Sequence, residues 1–304
     1  MEKIKPAKRR KSKFFLRRNI FVTSMLSPSV LIILAVMLFP TIYSFFMSLF
    51  DWRLGKPRQF IGLGNYIKLF TTPDILHSIW ITILFAIAVT VLTIVFGLFL
   101  AVLLNMDLRG TNVAIALLLI PWALPPVVNG VMWGWMTNAR MGSFNNILIS
   151  IGVLSDFKVW ISDPWYAFLI IVIATVYKML PLSAFLLVAS LKTIPKDIYE
   201  AAEIDGMSPV GRFFAITLPL VRPSMVIIFI LLSVATFKAF DMIFVITQGG
   251  PGNFTAVLNF FAYMTTFRHM NFGLGAAMAF FISFLILIIC VFYYRVTYRE
   301  VRYD

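Results

Sequence analysis

Three ionisable side chains stand where an apolar chain can least accommodate them: Lys178 in one long apolar run, and Lys238 and Asp241 in another. A charge at hydrocarbon depth is costly, and where it persists it marks a solute or ion pathway or a polar contact between helices. Lys238 and Asp241 are spaced i, i+3, which on a continuous helix puts them on one face, within pairing reach. Asp241 could instead pair with Lys178 across two spans. Either pairing leaves one ammonium free to meet solute hydroxyls or an anionic group. The plainer reading is that Lys238 or Asp241 snorkels towards the interface, or holds a subunit contact.

Little else has the spacing of a reactive centre. His77 and His269 are far apart and read as loop residues rather than metal ligands. Cys290 is the only cysteine and lies in an apolar run, so the chain forms no intrachain disulfide. No G-x-x-x-x-G-K-[ST] phosphate loop occurs; Gly55-Lys56 runs into Pro57 with no glycine at the required spacing before it. G-x-S-x-G and H-E-x-x-H are absent too, and no acid, base and nucleophile cluster as a membrane enzyme would need. The chain is expected to bind no cofactor itself.

The elements that must position these residues follow from composition. Of 304 residues, 61% are hydrophobic and 13% charged, which excludes an ordinary soluble domain. The net charge of +13 does not point to nucleic acid, because nine of the 26 basic residues precede Asn19, directly before an apolar run. That run extends from Phe21 to about residue 50, too long for the core of a signal peptide, and reads as an uncleaved first span. A crossing helix needs about 20 apolar residues. Runs near 21–49, 79–105, 111–136, 165–190, 224–247 and 272–294 qualify, which predicts an all-α membrane protein with six transmembrane helices. Pro121, Pro125 and Pro126 interrupt the third, and such breaks are tolerated only against protein or a water-filled cavity.

With the N-terminus inside, the inner segments hold seventeen Lys and Arg: the nine of the tail, Arg109, Lys192, Lys196, Arg212, Arg222, Arg295, Arg299 and Arg302. The outer segments hold seven: Arg53, Lys56, Arg58, Lys68, Arg140, Lys158 and Arg268. The positive-inside rule then makes both termini cytoplasmic. The polar segment EAAEIDGMSPVGRFFAITLPLVRP (200–223) falls on the cytoplasmic side, between spans four and five. Pro195 suits a first helical turn and Gly206 a left-handed stop. Ser208-Pro209 reads as the cap and first turn of a second helix, ending near Thr217, with Pro219 breaking the chain before span five. Ile194, Ile198, Ala201 and Ala202 share one side of the first helix, where small alanines beside Glu200 let another surface approach a carboxylate. The plainer alternative is a connector folded on its own helix ends.

Glu200-Ala201-Ala202, then Gly206, Ile216 and Leu218-Pro219, resembles the coupling motif of ABC importer permeases. The stretches FIGLGNYIKLF (60–70), PWALPPVVNGVMWGWM (121–136), GSFNNILISIG (142–152) and FKAFDMIFVITQGGPGNFT (237–255) resemble its carbohydrate branch, in the subunit type of the larger maltose permease. The likeness runs from about residue 25 to the C-terminus; the extra N-terminal spans and large external domain of that subunit are missing, so the chain is similar to the compact six-span members. The resemblance implies a type I ABC importer transmembrane domain. Its parts would be a basic tail (1–20), a peripheral first span (21–49), a permease core (75–296) with cytoplasmic coupling helices (192–221), and a tail (297–304). It implies an ATPase docking on Glu200, Ala201, Ala202, Asp205, Gly206 and Met207, with Pro219 as the exit into span five. Sugar-contacting positions would fall on Thr175, Lys178, Met179 and Leu182, whose spacing is one helix face. In span five they would fall around Thr236, Ala239 and Phe240, where Lys238 and Asp241 are candidates on their charge rather than on the resemblance. Asn129 is a further candidate, with interhelical hydrogen bonding as its plainer role.

Implied partners are a second permease, two ATPase subunits carrying ATP and Mg, an external solute-binding protein and membrane lipid, in a bacterial or archaeal inner membrane. Within this reading the surplus lysine motivates an anionic solute, such as a glycerol phosphate or uronate, as the alternative cargo. Outside it stands an ion-coupled secondary transporter working through Lys178 and Asp241, which would be expected to show inverted repeats; the two halves show no convincing symmetry.

Overall fold

The computed structural model describes residues 10–106 and 110–298; the tail before Arg10, Arg109 and the residues beyond Tyr298 lie outside. The chain opens with α1 (Arg10–Ile33), a π-helical turn (Leu34–Leu38) and α2 (Phe39–Ser48) in one rod. A hairpin of β1 (Phe50–Asp51) and β2 (Gln59–Phe60) follows, then α3 (Gly64–Thr71) and the long α4 (Pro73–Asn105). Next come α5 (Thr111–Leu118), α6 (Ile120–Ala123), α7 (Pro126–Met136), α8 (Ser143–Ser150) and α9 (Pro164–Leu191). The polar segment forms α10 (Lys196–Ile204) and α11 (Pro209–Arg212). After it, α12 (Leu218–Phe237), α13 (Asp241–Ile246), α14 (Leu258–Tyr263) and α15 (Phe272–Tyr298) complete the described chain.

Among the described residues five helices are long and apolar enough to cross a membrane, or six if a bent pair counts as one span. That pair is Val113–Ala123 with Pro126–Met136, bent by 95° where the paired prolines fall. Prolines remove donors and push their predecessor out of the α region; Leu124 and Pro125 are accordingly extended, with ψ near 139° and 140°.

The fifth span departs from expectation. Pro219 does not break the chain: the helix runs without interruption from Pro209 to Phe237, passing through a π-helical turn at Phe213–Thr217. There the Leu218 N–H reaches back five residues to the Phe213 carbonyl. Widening one turn before a proline relieves its clash with the carbonyl four residues back. The rod uses the same device, with the turn Leu34–Leu38 followed by Pro40. The span then stops at Phe237, well short of residue 247. Lys238, Ala239 and Phe240 form a break before α13, so Lys238 and Asp241 are not on one continuous helix.

The core is centred on α4 against α9. Lipid is as apolar as leucine, so helices associate by close packing, and small residues at a crossing permit it. Gly97, Ser183 and Ala184 meet at this crossing. One buried cluster joins Phe85, Val89 and Ile171 to Met242 and Ile243; another, nearer α10, joins Leu98, Leu187 and Leu191 to Val221 and Ile228. Met179 packs on both. The rod Phe21–Ser48 buries none of its apolar window and packs against α15, with Phe45 edge-on to Phe280 at 5.4 Å.

Candidate functional site

Local chemistry explains the polar segment. Pro195 precedes α10, and Gly206 ends it at φ +77°. The Gly206 N–H donates to the Glu203 carbonyl at 3.0 Å and the Met207 N–H to the Ala202 carbonyl at 2.9 Å. This paired return is the Schellman arrangement, which satisfies the last helical carbonyls. Ser208 then caps α11, its hydroxyl accepting from the Gly211 N–H at 3.2 Å. Two cross-links that the sequence did not reveal fold the unit on itself. Arg212 donates to Glu203 at 2.6 Å, and the Tyr199 and Thr217 hydroxyls meet at 3.0 Å. Glu203 is largely exposed, so the ion pair sets the angle between the helices more than it adds stability.

The result is an exposed tip cross-linked at two points. Glu200, Ala201, Asp205 and Gly206 are exposed, as are Ile204, Met207 and Val210, with Ile204 at 87%. Ala202 instead packs inward at 7%, so only one of the two alanines is open to a partner. Glu200 and Asp205 have no ion-pair partner within 4 Å among the described residues. Pro219 lies exposed in the continuous helix that joins this tip to the membrane core. An open cleft of about 330 Å³, lined by Tyr199, Arg212 and Phe213 on one side and Val102, Asn105 and Met106 on the other, separates the tip from the end of α4.

A second group of polar residues surrounds the two helix breaks. Lys178, half-buried on α9, donates to the Leu124 carbonyl at 2.6 Å and the Trp122 carbonyl at 3.1 Å, both at the bend of the third span. No contact ion pair joins it to Asp241 among the described residues. At the other break, the Asn259 side chain of α14 donates to the Lys238 carbonyl at 3.0 Å. The Lys238 ammonium is exposed and has no ion-pair partner among the described residues. Phe240 lies at 5.2 Å from Phe244, nearly parallel, and 4.9 Å from Tyr263, forming an aromatic surface beside Lys238 and Asp241.

The remaining sequence candidates take different places. Met179, Leu182 and Ala239 are half-buried. Thr175 and Thr236 are buried, and their hydroxyls bond their own helices, at the Ile171 carbonyl (2.7 Å) and the Leu232 carbonyl (2.9 Å). Asn129 is fully buried and donates to the Ala174 carbonyl at 3.4 Å, tying α7 to α9. Among the described residues no group of three His, Cys, Asp or Glu is placed to hold a metal.

Comparison with known proteins agrees with this architecture. Residues 93–302 match the family described as the inner membrane component of binding-protein-dependent transport systems. The chain is 36% identical to the trehalose/maltose transport system permease MalF of Thermococcus litoralis, over 90% of this chain and 92% of that one. It is 31% identical to the sulfoquinovosyl glycerol transport system permease SmoG of Agrobacterium fabrum, over 90% and 88%. Its fold matches a chain of a bacterial ABC transporter that imports the acidic polysaccharide alginate, at TM-score 0.83 and 18% identity, covering 96% of this chain and 100% of that one. These matches, rather than the bent helices alone, mark a transporter permease subunit and not an enzyme or an ion-coupled carrier, and the chain belongs to the binding-protein-dependent inner membrane family, as a permease of an ABC importer.

Proposed function

We propose that this permease forms half of the translocation path for a sugar or oligosaccharide handed over by an external solute-binding protein. A second permease supplies the other half, and ATP with Mg is bound and hydrolysed on separate subunits. The observation that carries the coupling role is the cross-linked tip, which exposes Glu200, Asp205 and three apolar side chains. Both termini lie in the cytoplasm of a bacterial or archaeal inner membrane, in keeping with the Lys and Arg distribution. The ATPase docks on Glu200 to Met207, and the continuous helix through Pro219 carries its movement into span five.

The solute passes along Met179 and Leu182 of α9 and the break containing Lys238, Phe240 and Asp241. Ring faces such as that of Phe240 suit the C–H faces of a sugar. Thr175, Thr236, Ala239 and Asn129 support this path from behind. The sugar cargo is favoured by the trehalose/maltose relative; Lys238, exposed and without an ion-pair partner among the described residues, favours an anionic solute as the second reading. Stimulation of the complex's ATPase by a panel of loaded binding proteins decides between them. A neutral sugar is expected to stimulate most, and an anion-loaded protein doing so alone would move the assignment to the second reading.

Glu200→Lys tests the docking surface. It is expected to abolish ATP-driven uptake while the chain still inserts and is recovered from membranes, because Glu200 is exposed and supports none of the spans. Uptake at the normal rate would remove the coupling role.

A further inference from the structure

The bend in the third span creates a local deficit that its own helix cannot meet. In a regular helix the Trp122 carbonyl would accept from the N–H of residue 126, but Pro126 has none. Leu124, extended at ψ 139°, turns its carbonyl out of the helical path. Unsatisfied backbone groups at membrane depth are costly, and the carbonyl end of a helix also carries partial negative charge. The Lys178 ammonium meets both needs, at 3.1 and 2.6 Å, from a helix more than fifty residues further along the chain. The break after α12 repeats the device with Asn259 on the Lys238 carbonyl at 3.0 Å. Thus each broken span has its open carbonyl end held by a side chain of another helix.

We infer that Lys178 is a positioning residue that latches the 95° bend of the third span, rather than a ligand for the solute. Straightening or reorienting α6 against α7 must pull both carbonyls from the ammonium, so latch and bend change together. This rests on the proposed reading of the chain as a permease whose spans rearrange to pass a solute. What the latch requires is donors within reach of two carbonyls: an anion-binding lysine would need its charge instead.

The test uses the full complex, with Leu124→Cys introduced in a Cys290→Ser background. Labelling by a membrane-impermeant maleimide reports the geometry at the bend, and uptake is followed in proteoliposomes. Lys178→Met keeps the stem but removes every donor; it is expected to change the labelling rate about tenfold and to lower uptake of neutral and anionic solutes alike, as for loss of two hydrogen bonds to carbonyls. Lys178→Arg and Lys178→Gln retain donors and are expected to label within about twofold of the parent, since an amide still bonds a carbonyl without a charge. Wild-type labelling in Lys178→Met overturns the latch. So does selective loss of anion uptake in Lys178→Gln with labelling unchanged, which would make Lys178 a solute ligand. Should Lys178→Met fail to assemble, altered labelling in Lys178→Gln overturns the donor argument and parental labelling supports it. Labelling is measured whether or not any solute is transported, so failure of the transport assignment stays separate from failure of the latch.

Discussion

Replacing Gly206 by valine is expected to cut ATP-driven uptake by about tenfold while leaving the amount of membrane-inserted complex unchanged. The reason is conformational. Gly206 has φ +77°, and a Cβ built there meets nothing within 4 Å, so the penalty comes from the backbone rather than from a clash. An L-residue in the left-handed region costs roughly 1–2 kcal/mol, and a β-branched one sits at the upper end. That cost falls on the Schellman return that sets the angle between α10 and α11, and so on the position of Glu200 and Asp205 relative to Met207. The expected order of activity is Gly206→Asn, then Gly206→Ala, then Gly206→Val, because asparagine tolerates this region best. ATP hydrolysis and solute uptake measured together should show the loss as uncoupling. If valine transported as well as asparagine, the turn would have no part in coupling.

That turn was fully legible in the sequence because everything that makes it is local. Gly206 and the Ser208-Pro209 pair act within a few residues and do in the structure what their types predict, while Pro195, expected in the first turn, sits one place earlier as the extended residue that caps α10. The apolar runs were legible for the same reason. Pro219 was misread because a proline's missing donor fixes only that a regular turn must fail. Whether the helix ends or widens by one residue depends on what packs beyond it, and α12 has the buried Val221, Ile228 and Leu232 to retain. The pairing of Lys238 with Asp241 failed through an assumed continuity: the i, i+3 rule holds only along an unbroken helix, and the break at Lys238–Phe240 removes it. The sequence also showed that the prolines of the third span would interrupt it, and so free carbonyls of the helix. It could not show that Lys178 would take them, since donor and acceptor belong to helices that meet only in the folded bundle. Glu203 with Arg212, Tyr199 with Thr217, and Asn259 belong to the same class of unseen contacts.

Gly273→Ala is expected to loosen the first span from the rest of the permease, although no sequence pattern singles this glycine out. A Cβ at Gly273 would overlap the Phe50 carbonyl oxygen and lie 3.1 Å from the Trp52 nitrogen and 3.2 Å from Asn65 Nδ2. These atoms form the strap that fastens the rod Phe21–Ser48 to the start of α15. The Asn65 side chain donates to the Ser48 and Phe50 carbonyls at 2.8 and 2.9 Å, and the Gly273 N–H donates to the Trp52 carbonyl at 3.2 Å. The Leu54 N–H donates to the Met270 carbonyl, and the Arg58 guanidinium covers the Trp52 ring at 3.5 Å. With backbone atoms on both sides of the contact, no side-chain rotation can relieve it. Overpacking of this kind costs about 1–3 kcal/mol or more. Because the apolar window of the rod is exposed, the strap and the α2–α15 contact carry its attachment. The purified complex should therefore melt at a lower temperature and be cut faster by protease between Asp51 and Leu63. Gly134→Ala is the control: its Cβ meets nothing within 4 Å and its backbone is helical, so the same measurements should not fall. Equal melting of the two variants would mean that the strap yields without cost, and that the rod is held by α15 alone.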